Sequence, residues 1–289
     1  MHPLRHLTAT GLLLAGLIAI PGTVRAETYN TCAGFIDTLP ATITTQGVWC
    51  LRHDLSTAIT SGEAITINTN NVTIDCNDFK LGGLAAGAGT QTNGIYAANR
   101  LNATVRRCNI RGFLYGVFLE GTGGHVIEDN RFDGITFNGI RVDGDGSVLR
   151  RNLVTDTGGS SAFRGLARGI VTTDAVDVLD NTVSGVLPTA NSSGIGTAYG
   201  IQANSNPNGS ISGNRVRGLV PLGSGTARGI YNLNSGRISL VGNHVIGDGS
   251  AGSTGLRCQN SGGSTKDNIV NGFDTGIDTC TNNGGNVIK

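Results

Sequence analysis

The chain has 289 residues, of which 46 are glycine and 14% are charged, against ordinary shares of about 7% and about 25%. Disorder needs few apolar residues and many charges, whereas 38% of this chain is hydrophobic. A formal charge of +1 lacks the basic excess that marks nucleic-acid binding, so no nucleic acid is expected.

Residues 1–26 read as a secretory signal, with Arg5 at the start, an apolar run from Leu7 to Ile20 and a small-residue cleavage site at Val24-Arg25-Ala26. That run is shorter than the roughly 20 residues of a membrane-crossing helix, and no later segment is longer. A secreted, periplasmic or cell-surface protein without a membrane span is expected. Without Arg5 and Arg25, nineteen basic residues face twenty acidic ones.

Residues 27–62 follow no repeat. Phe35, Ile36, Leu39, Ile43, Val48, Trp49 and Leu51 make this an N-terminal cap, an atypical end unit of the kind that repeat proteins require. It would cover a strand edge otherwise open to aggregation.

From residue 63 to 289 the chain keeps a cadence. Glycine followed by an aliphatic residue recurs at Gly94, Gly116, Gly139, Gly169, Gly200, Gly229, Gly255 and Gly276. Some 12 to 15 residues after each of the first seven comes an asparagine: Asn109, Asn130, Asn152, Asn181, Asn214, Asn243 and Asn268. Alternation of period two, as in Ala64-Ile65-Thr66-Ile67, is the strand signal. Repeats of this length mean stacked coils, here about nine, each of three short strands. No segment reads as a useful helix, which excludes βαβ folds. Asparagine at the corner before the third strand tolerates left-handed dihedrals and bonds neighbouring backbone. Eight of them in register, counting Asn77, predict an amide ladder. Spacings between successive glycines run from 21 to 31 residues, and the excess falls between the third strand and the next glycine. Such insertions collect on one face, often the binding face.

All six cysteines lie beyond the signal, and an even number in an exported chain favours disulfides. Cys76 precedes Asn77 as Cys108 precedes Asn109, which sets the two on neighbouring coils about 4.8 Å apart and within bonding reach. Cys258 and Cys280 fall in the last two glycine-aliphatic segments. Cys32 and Cys50 remain to close the cap.

The pattern Gly-Ile…Asn-x-Val-x-Gly resembles the single-stranded right-handed parallel β-helix of the pectate-lyase-like superfamily, over roughly residues 64–289. The resemblance implies an all-β solenoid in an exported, bacterial-type protein, and a cleft on the outward face of the first strand of each coil. It is weak for chemistry, because that fold hosts lyases, glycoside hydrolases, epimerases, adhesins and proteins without activity. Period two then gives an outward row of Tyr96, Phe118, Arg141, Val171, Gln202, Tyr231, Arg257 and Asp278, and a second beginning Ala98, Glu120, Asp143 and Thr173.

Glu120 and Asp143 on adjacent coils, beside Arg141, have the makings of an acid/base pair for a glycosidic bond. In a lyase the arginine would stabilise charge and the carboxylates would hold calcium. The same trio is equally a solvated cluster in which Arg141 neutralises two acids. Tyr96, Phe118 and Tyr231 offer faces to sugar rings, or form cross-strand pairs. Arg257 binds an acidic sugar or pairs with Asp278. Neither the paired aspartates of polygalacturonases nor the lysine and arginine pattern of classical pectate lyases is present. Asp143-Gly144-Asp145-Gly146-Ser147 fails the EF-hand template, since Val148 takes the required glycine, so a turn is expected and no cofactor is called for. The expected partner is a polysaccharide or surface glycan, bound or cleaved by a monomer. The alternative is a non-catalytic surface or envelope protein of structural or adhesin type.

Overall fold

The computed structural model describes residues 31–289, apart from 206–207, 234–236 and 260–261. The expected signal segment lies outside the described residues. Three sheets, of ten, eleven and ten strands, run the length of the molecule, and every strand-to-strand ladder in them is parallel. The chain visits the sheets in strict rotation. Residues Tyr115–Glu120 belong to the first, Val126–Glu128 to the second and Arg131–Asp133 to the third, and Asn138–Asp143 returns to the first. This is a right-handed parallel β-helix. Ala41–Ile43, Gly47–Cys50 and Leu55–Ser56, from the segment assigned to the cap, contribute one strand to each sheet.

Alternation puts one aliphatic column from each wall into the interior. Ile95, Val117, Ile140, Ile170, Ile201 and Ile230 line it from the first sheet; Val105, Ile127, Leu149 and Ile211 from the second; Ile110, Phe132, Val154 and Val183 from the third. All are 0% exposed. β-Branched side chains suit such a pleated surface. The recurring glycine marks where the third wall meets the first. A Cβ on Gly169 would lie 2.3 Å from Val183 Cγ1 and 2.7 Å from the Gly200 carbonyl oxygen. The same conflict, with the third-strand side chain of the same coil and the next glycine's carbonyl, recurs from Gly116 to Gly255. The cadence therefore records a close approach between backbone and side chain.

The amide ladder stands at the corner between the second and third sheets. Asn130 donates from Nδ2 to Asn152 Oδ1 at 3.0 Å, and the chain of bonds continues through Asn181, Asn214, Asn243 and Asn268 to Asn286. Each Nδ2 also donates to a carbonyl of the coil before, from Val105 for Asn130 to Leu240 for Asn268, at 2.8–3.0 Å. Buried polar groups thus find partners on both neighbouring coils, as burial demands.

Two expected members of the ladder stand elsewhere. Asn109 is the first residue of its strand and donates to the Asp78 carbonyl; Asn77 donates to the Leu51 carbonyl. Cys108 holds the corner position instead, its N–H on Asn130 Oδ1 at 3.0 Å. The left-handed residue also lies one place earlier than expected: Asp129, Arg151, Asp180, Gly213, Gly242 and Asp267 have positive φ, whereas the ladder asparagines after them do not. The asparagine stitches, and the residue before it turns.

Disulfides join Cys32 to Cys50, Cys76 to Cys108 and Cys258 to Cys280, the pairing that the register predicts. In coils with long insertions the loops after the third strand stack along one edge. Gly165 N–H donates to the Thr189 carbonyl at 2.7 Å, and Gly196 and Leu222 form an antiparallel bridge.

Candidate functional site

The outer face of the first sheet carries the expected row in register. Phe118 pairs with Tyr96 on one side and Arg141 on the other, and Val171, Gln202, Tyr231, Arg257 and Asp278 follow coil by coil. Leu119 and Val142 are partners, so Glu120 and Asp143 emerge on adjacent coils. Both acids are engaged. Glu120 Oε1 accepts from the Tyr96 hydroxyl. Asp143 Oδ2 accepts from Arg141 Nε at 2.9 Å and Nη2 at 2.6 Å, while Asp143 Oδ1 is buried without a partner. Burial, the Glu120 hydrogen bond and the charges of Glu120 and Glu63 push the Tyr96 hydroxyl up to about 12. Burial alone would lower the Arg141 guanidinium; the bond and charge of Asp143, with Tyr115 beside it, more than reverse this.

A third row, missed by strict alternation, stands on the same face: Asn93, Tyr115, Asn138, Arg168, Tyr199 and Arg228. Each residue immediately precedes the coil's glycine. Ladder pairing skips that glycine, running from Tyr115–Asn138 directly to Val117–Ile140, and the alternation slips there. The residue three places before Phe118 is therefore on the outside. The signal was in the sequence, as the x of each x-Gly-Ile.

Rings and guanidiniums tile this face. Phe163, Phe137, Tyr115, Phe118 and Tyr96 form an unbroken contact chain with centroid separations of 5.0–5.7 Å. Arg141 lies over Phe118 at 4.6 Å, and Arg168 over Phe137 at 5.4 Å. Tyr231 is 5% exposed, with Arg228 at 4.4 Å and Arg257 at 5.9 Å from its ring. Its faces are therefore occupied by cations. Arg257 pairs with Asp278 at 3.2 Å.

Arg168 and Arg228 differ from these. Among the described residues neither has a carboxylate partner, and the Nε of each is buried without an acceptor. Asn138, 0% exposed, likewise leaves Nδ2 unpartnered. Burial, with repulsion from Arg141, pulls the Arg168 guanidinium below its ordinary value. Burial raises the Tyr199 hydroxyl despite the nearby cations Arg228, Arg168 and Arg257. Buried donors of this kind are costly to leave unmade.

Off this face, His125 is buried inside the tube, where Nδ1 accepts from the Ala103 N–H at 3.2 Å and Nε2 has no partner. Burial lowers it to about 4. Among the described residues no three His, Cys, Asp or Glu side chains gather as a metal site, and no helix is long and apolar enough to cross a membrane.

Residues 53–195 match the family model described as the right handed beta helix region. The chain is a right-handed parallel β-helix protein. Among solved structures it is similar to an alginate lyase from Paenibacillus sp. str. FPU-7, at 12% identity and a TM-score of 0.54, covering 84% of this chain and 99% of that one. It is also similar to the full-length tailspike protein 2 of Escherichia coli O157:H7 bacteriophage CAB120, at 15% identity and a TM-score of 0.53; that match covers 90% of this chain and 38% of the tailspike. At these identities the likeness is one of fold. No curated protein matches the sequence.

Proposed function

We propose that this is an exported glycan-binding protein that takes a polysaccharide along the outer face of its first sheet, between Tyr96 and Arg257. The observation that carries the reading is the pair of half-buried arginines without a carboxylate partner among the described residues, Arg168 and Arg228, on a face rich in rings. Sugar hydroxyls and carboxylates are acceptors of the kind these groups lack, and Arg presents a planar fork to a carboxylate. Tyr96 and Phe118, half-buried, supply ring edges beside the path. The alginate lyase and the tailspike share the fold, and the former is an enzyme of a polysaccharide, which agrees with a polysaccharide ligand here. Three disulfides suit an oxidising compartment outside the cytosol.

Glu120 and Asp143 enter this reading as residues that position Tyr96 and Arg141. A catalytic form, lyase or glycoside hydrolase, would instead use Glu120 and Asp143 as acid and base with Arg141 as charge stabiliser. The favoured reading is binding, because both carboxylates already hold donors from their own wall. Incubation with a panel of neutral and acidic polysaccharides, with and without calcium, separates the two. Binding without new reducing ends or unsaturated products supports the binding protein. Product release that disappears in Glu120→Gln and Asp143→Asn replaces it with the enzyme. Failure to bind any glycan leaves the surface or envelope structural protein.

A further inference from the structure

The three walls differ in charge. In the strands of the first sheet Arg141, Arg168, Arg228 and Arg257 are balanced by Glu63, Glu120, Asp143 and Asp278. Those of the second balance Arg106, Arg150 and Lys266 with Asp75, Glu128 and Asp177. Strands of the third carry Lys80, Arg111, Arg131, Arg215 and Arg217 against Asp133 and Asp156 alone. Register sets these cations in two columns parallel to the tube axis. Lys80, Asn109, Arg131, Leu153, Thr182, Arg215 and His244 succeed one another in the first. Arg111, Asp133, Thr155, Ser184 and Arg217 form the second.

The wall is also concave at its amino-terminal end. A groove of about 340 Å³ runs between Lys80, Asn109, Arg111, Arg131 and Asp133. A second of about 250 Å³ shares Lys80 and Arg111 and extends to Ser56 and Thr57. Lys80 pairs with Asp54 at 3.2 Å and Arg111 with Asp133 at 2.7 Å. Arg131, Arg215 and Arg217 have no carboxylate partner among the described residues, and Arg217 reaches only Ser184 Oγ, at 3.4 Å.

We propose that the outer face of the third sheet is a second binding surface, for an extended anionic polysaccharide lying along the tube axis. Charge complementarity selects a polyanion, and the columnar spacing of the cations selects an extended one. Among the described residues the strands of this wall carry no Phe, Tyr or Trp outside, Phe132 being 0% exposed; single-stranded nucleic acid is held largely by stacking on such rings. Hydroxyl and amide groups between the cations, from Asn109, Thr155, Thr182 and Ser184, match a sugar backbone between its charged groups. Since this wall and the first face different directions, one molecule would bridge two glycan chains.

The test isolates the third wall by working in protein carrying Arg168→Ala and Arg228→Ala, so that failure of the first-sheet reading does not affect it. Dextran sulfate and a polyuronate should bind in low salt and weaken as salt rises, while neutral dextran should not. Adding Arg131→Ala, Arg215→Ala and Arg217→Ala, all surface replacements, should weaken dextran sulfate binding about tenfold, the sum of three exposed ion pairs, with an unchanged melting curve. Equal binding by this variant would overturn the proposal, as would no polyanion binding in the parent. Equal or tighter binding of a single-stranded oligonucleotide, or of anionic phospholipid vesicles, would overturn the choice of occupant.

Discussion

The corner between the second and third sheets and the outer face of the first sheet both bury polar side chains, and they treat them in opposite ways. At the corner each amide from Asn130 to Asn268 has its donors and its acceptor filled by neighbouring coils. On the face Asn138, Arg168 and Arg228 keep donors with no acceptor. The second sheet's outer wall sides with the corner: Asp75, 3% exposed, takes Arg106 and Arg107, and Glu128 takes Arg150 and Arg151. At the corner the polar groups are satisfied within the tube, whereas these donors on the face are not. Substitutions in the two regions should therefore move different observables.

The largest effects belong to the interior and the corner. Asn181→Leu orphans the Asn152 donors and the Leu149 carbonyl, which it serves at 2.9 Å. At roughly 1–3 kcal/mol for each buried group left unmet, the loss should be several kcal/mol by denaturant titration, with glycan affinity of the folded fraction unchanged. His125 sharpens the point through pH. Its folded value, about 4, lies below the ordinary 6.5, so the stability tied to its neutral form is present above pH 6.5 and is lost as the pH falls toward 4. The loss should reach about 3 kcal/mol, and the pH dependence of melting between these values should flatten in His125→Asn.

Asp75→Asn should cost about 2 kcal/mol, below the range for breaking a fully buried pair because its arginines are partly exposed. Burial pushes the Asp75 carboxyl up, but the Arg107 hydrogen bond, the Asn77 N–H and the charges of Arg107 and Arg106 outweigh it and leave it below its ordinary 3.8. The wild-type stability it supplies is thus complete above that value and fades only in stronger acid. Arg228→Ala should do the reverse of these three variants: about tenfold weaker glycan binding, or about 1.4 kcal/mol, with little change in melting. Smallest of all, Glu120→Gln should leave binding within about twofold, because only the Tyr96 bond is altered. A large loss there would place the carboxylate on the ligand and blur the contrast between regions.

Most of the architecture was legible because its causes are local and periodic. The glycine of each coil answers a clash that every coil repeats, and Asn130 to Asn268 answer one corner that every coil turns. The two misread ladder members fell where the repeat is broken. Asn109 was read as a ladder member because Cys108, with its disulfide to Cys76, has taken the corner and shifted the asparagine along by one. Asn77 sits in the first full coil, where Asp78 also has positive φ and two additional residues between Asp75 and Lys80 displace the count. The row containing Arg168 and Arg228 was missed for a related reason, since pairing skips the glycine and period two cannot be carried through it. What a one-dimensional pattern could not disclose was which arginines would find acids. Arg141 meets Asp143 two places along its own strand and Arg257 meets Asp278 on the next coil, both alternatives that the sequence offered, whereas Arg168 and Arg228 meet no acid among the described residues.

The placement of the three disulfides has a consequence for how such a molecule comes apart. In a stack where every layer leans only on the layers beside it, the outermost layers have one support and peel first. Here Cys32–Cys50 and Cys76–Cys108 fasten the opening turns and Cys258–Cys280 the closing ones, while the intervening turns are left without a covalent tie. Unwinding past either tie is blocked, as for a bobbin knotted near both rims, so in an oxidising medium only the strands beyond Cys280 and the turns between the knots can loosen.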